Sequence, residues 1–435
     1  MRKYTQLALI VTSILSVLAL LICERKYANM KVIFQVMDVF EAKETAAKCE
    51  KRVQVTPHSG YRPVLLPVWT EILEGVYVYS AYWDYAPEYD KKISRVLIAY
   101  SKHGKNILKC FVWFDGKHFV EADDLRITIL AETSHVVSAL ANCIVRNISI
   151  RPVGVSFSSS LSNGDVGKVI GLEPTMSNRT RNVSVCLPPL SYPTTPLQIA
   201  EFVIYHRHIG IQDFIFYDSG LLTNAKKVVS AIPTTVEGSV LLLSWNPPLK
   251  LEGVTGILGI VDCLLRTKGR SNATLFLGLN EYLALYTVSG LKELQRGLQA
   301  PSPEKLLLFH KHYYCQEFSD DIIASSLEIP FITQRKVRYH RVSEKHSLVL
   351  VLPRFSVQLV RDIAAGELAD VDRDVLVPER TAAVNVYRDC AKLFPTHNTR
   401  DDYIPDMHMT KLRNIFFTSK LYHFVEKQPF AHFLS

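Results

Sequence analysis

The sequence has no dense block of lysine or arginine: its 50 basic and 42 acidic side chains leave a net charge of +8 that is spread along 435 residues. Such a distribution suits anionic ligands or a membrane surface and gives no reason to expect nucleic acid as a partner. Internal repeats and low-complexity tracts are also absent. With 48% hydrophobic and 10% aromatic residues the chain can bury real cores, which excludes a disordered scaffold. None of the eight cysteines is paired with another at the C-x-x-C spacing of a zinc site.

Long apolar runs are scarce too, and the single one that is present, Leu7 to Cys23, spans roughly 25 Å as a helix at about 1.5 Å per residue, near the lower limit for crossing a bilayer. No small-x-small cleavage pattern follows it, so the run reads as an uncleaved signal anchor behind a cytoplasmic tail of residues 1–6. Flanking charge does not set its orientation, because Arg25, Lys26 and Lys31 nearly balance Arg2, Lys3 and the terminal amine. Four sequons, at Asn147, Asn178, Asn182 and Asn272, act as glycosylation acceptors only if the remainder enters the secretory lumen. The expected topology is therefore a single-pass type II membrane protein. In an oxidising lumen some of Cys49, Cys110, Cys143, Cys186, Cys263, Cys315 and Cys390 would pair with one left over, in a connectivity that spacing leaves open.

Residues 24–56 read as a stem, and the composition changes at Pro57. From 57 to 155 the pattern is β-rich and sandwich-like, with short strands at 75–80, 94–100, 107–113, 125–130 and 147–150. Tyr82, Trp83 and Trp113 are candidates for a sugar-stacking platform there, or for that domain's core. Residues 156–182, rich in Ser, Asn and Gly, read as a linker. The rhythm then becomes α/β: strands at 183–187, 213–217, 240–245 and 273–279 alternate with helices, one from about Pro196 to His208 that Gly210 ends. This spacing implies crossover connections, a mostly parallel sheet and ligands at the carboxyl ends of its strands, where Asp218 and the 278–281 segment fall. Residues 396–435 form a C-terminal extension to which the sequence assigns no role.

Within this region one ordered series of segments resembles glycosyltransferase family 92. The series runs Val-Ser-Val-Cys-Leu-Pro-Pro-Leu (183–190), Glu201 to Tyr205, His208-Ile-Gly210, Phe214 to Asp218, Trp245 with Pro247 and Pro248, Asp262-Cys-Leu-Leu-Arg266 and Asn280-Glu-Tyr282. Weaker echoes lie at 353–362 and in Val386-Tyr-Arg388, and Ser80 to Asp84 and Cys110 to Phe114 extend the likeness into the β-rich region. The resemblance implies a GT-A-like, Rossmann-like catalytic domain at 183–395. It further implies an inverting transfer of a hexose, galactose from UDP-galactose, to a glycan or glycoprotein acceptor in the Golgi, of the β-1,4-galactosyltransferase type.

The chain departs from that family where the metal would sit: the usual Asp-x-Asp-Glu-Phe reads Gly278-Leu-Asn280-Glu281-Tyr282, so both metal-binding carboxylates are missing. A neutral Asn280 carbonyl, helped by Asp362, is a poor set of ligands for a hard cation such as Mn2+. Candidates for the reaction are Glu281, with Asp320 and Asp321 as potential bases, and for the UDP-sugar donor Asp218, Asp262, Arg266 and Arg388. A structural ion pair is the alternative for Asp262 with Arg266, and turn formation the alternative for Asp218. If the altered motif abolishes catalysis, the chain becomes a glycan- or partner-binding module.

Overall fold

Hydrophobic alternation from Thr70 onward folds as two antiparallel sheets in the computed structural model, which describes residues 67–86, 89, 91–102, 107, 109–115, 117–146, 150–159, 166–173, 181–191, 193–236, 238–248, 255–268, 270–287, 306–351, 374–391 and 403–428. The anchor at 7–23 and the stem at 24–56 fall outside these residues, as do Asn147, Asn178 and Asp362. No helix among the described residues is long and apolar enough to cross a membrane.

Strands β1 (Thr70–Leu73), β2 (Val76–Ala86), β3 (Lys91–Ser101), β4 (Lys109–Trp113), β5 (Phe119–Glu121), β6 (Asp124–Glu132), β7 (Val136–Ile144), β8 (Gly154–Ser158) and β9 (Ile170–Gly171) sort into two sheets. One is ordered β1-β2-β3-β7-β6, the other β5-β4-β8-β9. Gly75, at φ 72°, makes the tight β1–β2 connection, a conformation a side chain would oppose. Val78, Val96, Ile98 and Ala139 from the first sheet share a buried cluster with Val112, Val155 and Phe157 from the second, and the Cys110–Cys143 disulfide joins β4 to β7 across it.

Two expectations change here, and an inner strand is added to those expected. Strand β7, which sits between β3 and β6 with every residue buried, is covered by none of the strands expected from the sequence, its Ser138 and Asn142 standing among Val, Ala, Leu and Ile. Residues 156–182 are not simply a linker: 154–158 and 170–171 are strands of the second sheet, and the Glu173 amide donates to the Ala81 carbonyl. Tyr82, Trp83 and Trp113 are buried, with the Trp113 indole N–H on Ser156, and so form no sugar platform.

The second part runs β10 (Arg181–Cys186), α1 (Pro196–His208), β11 (Asp213–Asp218), α2 (Thr223–Thr235), β12 (Ser239–Ser244), α3 (Thr255–Thr267), β13 (Ser271–Phe276), β14 (Glu281–Leu285), β15 (Leu306–Cys315), α4 (Ile322–Ser326), α5 (Ile332–Arg335), β16 (Arg338–Val351), β17 (Asp374–Leu376), β18 (Ala382–Arg388), β19 (Tyr403–Pro405), α6 (Arg413–Phe417) and α7 (Lys420–Glu426). Its ten-stranded sheet is ordered β12-β11-β10-β13-β16-β15-β18-β14, with β17 beside β15 and β19 beside β16. Pairing is parallel from β12 to β13, as the crossover spacing requires, and turns antiparallel at β13–β16 and β16–β15.

Helix α1 starts where Thr195 and Gln198 cap each other's backbone amides with Pro196 at the first position, and is buried on nearly all sides against α2, α6, α7 and β14. Gly210, at φ 101°, follows its end. Because α6 and α7 pack on α1, and Phe331 meets Phe416 and Tyr422, residues 403–428 belong to this domain instead of extending from it. Two further disulfides tie the sheet: Cys186–Cys263 holds β10 to α3, and Cys315–Cys390 joins the ends of β15 and β18. Each contributes about 2–4 kcal/mol by the usual measure.

Helix α4 ends on Glu328 at φ 49°, the left-handed position at which glycine is the usual residue. Replacing Glu328 by glycine is expected to raise stability by about 1 kcal/mol, read as a higher urea midpoint. An unchanged or lower midpoint would show that the Glu328 side chain contributes contacts that outweigh the strain.

Candidate active site

The carboxyl ends of β10 and β13 open on one hollow. Cys186 to Pro189 follow β10, Phe276 to Gly278 finish β13, and the first half of α3 brings Gly256, Gly259 and Ile260, enclosing about 220 Å3 with Glu281 at the margin. Both glycines keep the helix surface low: a Cβ on Gly256 would meet open space, and one on Gly259 would reach Pro189 at 3.8 Å. A second hollow of about 320 Å3 lies against Asn280 and is lined also by Thr194, Gln198, Gln316 and Arg388. Residues 278–281 are thus the turn at which the two hollows adjoin.

That turn is closed on itself and on β18. The Gly278 amide donates to Glu281 Oε2 at 2.8 Å, and the Glu281 amide to the Gly278 carbonyl at 3.0 Å. Asn280 exchanges hydrogen bonds with Tyr387, its side-chain Nδ2 donating to the Tyr387 carbonyl at 3.1 Å and its own carbonyl accepting from the Tyr387 amide at 2.9 Å. A Cβ on Gly278 would come within 3.0 Å of Asn280 Oδ1, so the turn has little room for a side chain there as it stands. Glu281 Oε1 is held by Lys311 Nζ at 3.2 Å, with the two side chains 18% and 22% exposed. Near them the Tyr313 hydroxyl is pushed above its ordinary pKa, by burial first, with Lys311 and Arg388 opposing the effect of Glu281.

Residues 181–341 match the model of glycosyltransferase family 92. The matched stretch begins with β10 and contains the whole 278–281 turn and Lys311. No curated protein matches the chain. Among solved structures it is similar to glucosyl-3-phosphoglycerate synthase from Mycobacterium tuberculosis, at 14% identity over 48% of this chain and 71% of that one, TM-score 0.24. It is also similar to HddC from Yersinia pseudotuberculosis, at 12% identity, 47% and 92% coverage and TM-score 0.25. A third is the galactosyltransferase LgtC, at 11% identity, 55% and 96% coverage and TM-score 0.26. Scores this low mark partial superpositions, and the strand order and register above carry the architecture on their own.

The matched segment does not offer a hard divalent cation a fitting site among its described residues. Gly278 brings no ligand, Asn280 offers only a neutral amide oxygen while its Nδ2 donates to the Tyr387 carbonyl, and each oxygen of Glu281 already accepts a hydrogen bond. Asp362 lies outside the described residues. The described grouping of metal-ligating atoms, Cys315, Glu317 and Cys390, is a disulfide with Glu317 accepting from the Cys390 and Ala391 amides.

Of the residues singled out from the sequence, Asn280, Glu281 and Arg388 are brought to the cleft. Asp262 and Arg266 are not. Asp262 is fully buried and accepts from Ser80 Oγ at 2.6 Å, Tyr82 OH at 2.7 Å and Tyr217 OH at 2.7 Å, and Arg266 pairs with it at 3.2 Å and with Glu173 at 2.5 Å. The pair is a bridge between α3 and the β-sandwich, because the hydroxyls of Ser80 and Tyr82 on β2 donate to Asp262 and Glu173 pairs with Arg266.

Asp218 ends β11 and accepts from the Gly220 and Leu221 amides while pairing with Lys226 at 2.7 Å. Burial opposes its ionisation, but those donors outweigh it and hold the carboxyl below its ordinary pKa, as a turn former and not a free ribose acceptor. Asp320 is paired with Arg335 and Lys336, and Asp321 caps α4 by accepting from the Ala324 amide, so neither is placed as a free base in the cleft. Asn272 is exposed on β13, and nothing is described of the Asn182 side chain.

Lys311 is not among the residues singled out from the sequence, and its setting between His310 and His312 in β15 carries no local signal that marks it. A buried polar network on β15 was missed as well: His312 Nε2 meets Glu379 at 2.7 Å, and Tyr286 and Tyr314 both donate to Asp406, at 3.2 and 2.6 Å.

Proposed function

We propose that this chain is a glycosyltransferase taking a nucleotide-sugar donor into the cleft beside the 278–281 turn. The observation that carries the reading is that this turn, inside the family-92 match, borders a hollow at the carboxyl ends of parallel strands, the place where an open α/β sheet binds ligands. In finer detail the domain is taken as GT-A-like and the reaction as inverting transfer of a hexose, galactose from UDP-galactose, to a hydroxyl of a glycan or glycoprotein. The protein is taken to be a type II membrane protein anchored at 7–23 with its catalytic part in the Golgi lumen, a compartment compatible with the three disulfides among the described residues.

Calorimetric titration of the protein with UDP-sugars, followed by donor hydrolysis across a panel of them, tests the reading. Glu281→Gln is expected to lower kcat by about 10–100-fold, the worth of a charge-assisted hydrogen bond, with KM changed much less and Glu281→Asp recovering part of the loss. Activity indifferent to the change would remove Glu281 from the site. The missing carboxylates favour a second reading, a catalytically impaired module that binds a glycan or a partner enzyme. Failure to bind UDP with or without Mn2+ would select it.

A further inference from the structure

A sugar nucleotide leaves as a nucleoside diphosphate, and the charge that collects on its departing oxygen must be neutralised where it forms. A divalent cation held by two carboxylates does this in an Asp-x-Asp site. Here the corresponding donors do not fit a cation, but a cation of the protein's own stands beside them.

Sheet register puts it there. Glu281 on β14 is opposite Val386 on β18, Val386 is opposite Tyr313 on β15, and Lys311 is two residues before Tyr313, so Glu281 and Lys311 project from the same face. Their side chains meet at 3.2 Å, each about one-fifth exposed, so the pair is ordered by its own contact without being sealed from solvent. An ammonium has three donors, so Lys311 can keep Glu281 and still donate to a phosphate oxygen. Arg388, two residues beyond Val386 on β18, adds a second positive charge at the edge of the neighbouring hollow.

Resting on the glycosyltransferase reading above, we infer that Lys311, positioned by Glu281, takes the part of the divalent cation and that donor cleavage in this chain is metal-independent. In the reaction the bond from the sugar C1 to the β-phosphate oxygen breaks with its electron pair left on the diphosphate, where the Lys311 ammonium donates a hydrogen bond. The acceptor hydroxyl oxygen, or water in hydrolysis, forms the new bond to C1, and its proton passes to solvent. Lys311 acts as a hydrogen-bond donor, and Glu281 acts as a positioning residue.

The experiment is UDP binding and UDP-galactose hydrolysis by the purified full chain, measured in EDTA and again in Mn2+. Wild type is expected to bind and hydrolyse equally in both. Lys311→Met is expected to lose about 100-fold in kcat, with KM moved by less than about threefold, and Lys311→Arg to recover about tenfold. Wild-type binding or hydrolysis that appears only with Mn2+ overturns the inference while leaving the glycosyltransferase reading intact. So does a folded Lys311→Met variant with the wild-type rate. Absence of nucleotide binding in both conditions overturns the glycosyltransferase reading itself, and this inference with it. The EDTA arm needs no variant, so it decides the question even if Lys311→Met does not fold.

Discussion

Asp262→Ala is expected to destabilise the folded protein by about 3–5 kcal/mol, the usual consequence of removing one partner from a buried ion pair. The carboxylate is the common acceptor for Ser80, Tyr82, Tyr217 and Arg266. Burial, first of all, drives the Tyr82 and Tyr217 hydroxyls far above their ordinary pKa, so both remain protonated donors at any working pH. Without the Asp262 carboxylate the Ser80 and Tyr217 hydroxyls lose their acceptor, Tyr82 keeps only the residue-262 carbonyl at 3.4 Å, and the Arg266 guanidinium keeps Glu173 as its ion-pair partner. Urea denaturation followed by tryptophan fluorescence would report the loss, since Trp245 packs edge-on against Tyr217 at 5.1 Å. Asp262→Asn at a stability equal to wild type but with weakened UDP-sugar binding would return Asp262 to the donor site and refute its role as a bridge.

A pH effect of comparable size is expected from Glu201. Its side chain, buried in α1, accepts from the Ile332 amide at 3.3 Å and from the Thr333 amide and hydroxyl at 2.8 and 2.7 Å. Burial raises its pKa to about 7 in spite of those donors, which favour the ionised form. Between about pH 4.5 and 7 the native state therefore holds a proton that the unfolded chain has released, and stability falls as pH rises through that window, by about 3 kcal/mol in all.

His206 on the same helix runs the other way: burial lowers it to about 3, so the native ring stays neutral while the unfolded one charges, and stability is lost as pH falls below about 6.5. The two windows overlap and offset each other in the wild type. Glu201→Gln should unmask the histidine: relative to wild type, its urea midpoint rises at pH 8 and falls off more steeply below about pH 6.5. Parallel midpoints for the two proteins across that range would show that Glu201 titrates as an ordinary carboxylate.

Legibility differed from element to element. Helix α1 could be read to the residue because its signals are local: Thr195 and Gln198 cap it, Pro196 starts it and Gly210 stops it. Strands β10, β11 and β13 stood out as short apolar runs at crossover spacing. Strand β7 did not, because it is held by two hydrogen-bonded neighbours and burial on both faces, while Ser138 and Asn142 break up its apolar run. The β8–β9 stretch resembled a linker for a similar reason, and the C-terminal segment resembled a tail because the aromatic partners it packs on, Phe331 among them, lie far back in the chain.

The candidate site divides along the same line. By itself the sequence determined that the acidic pair of the family motif is replaced by Gly278 and Asn280, that Glu281 survives, and that these residues fall at a strand end; each of these depends only on residue identity and local spacing. Only the tertiary structure decided that Asp262 and Arg266 face the β-sandwich, that Asp218 is engaged by Lys226, and that Lys311 stands against Glu281. Those three outcomes are matters of which side of a strand or helix a charge projects from and what another element places opposite it. Register and packing set that, through contacts that range from Asp218 with Lys226, close in the chain, to Ser80 with Asp262, 182 positions apart.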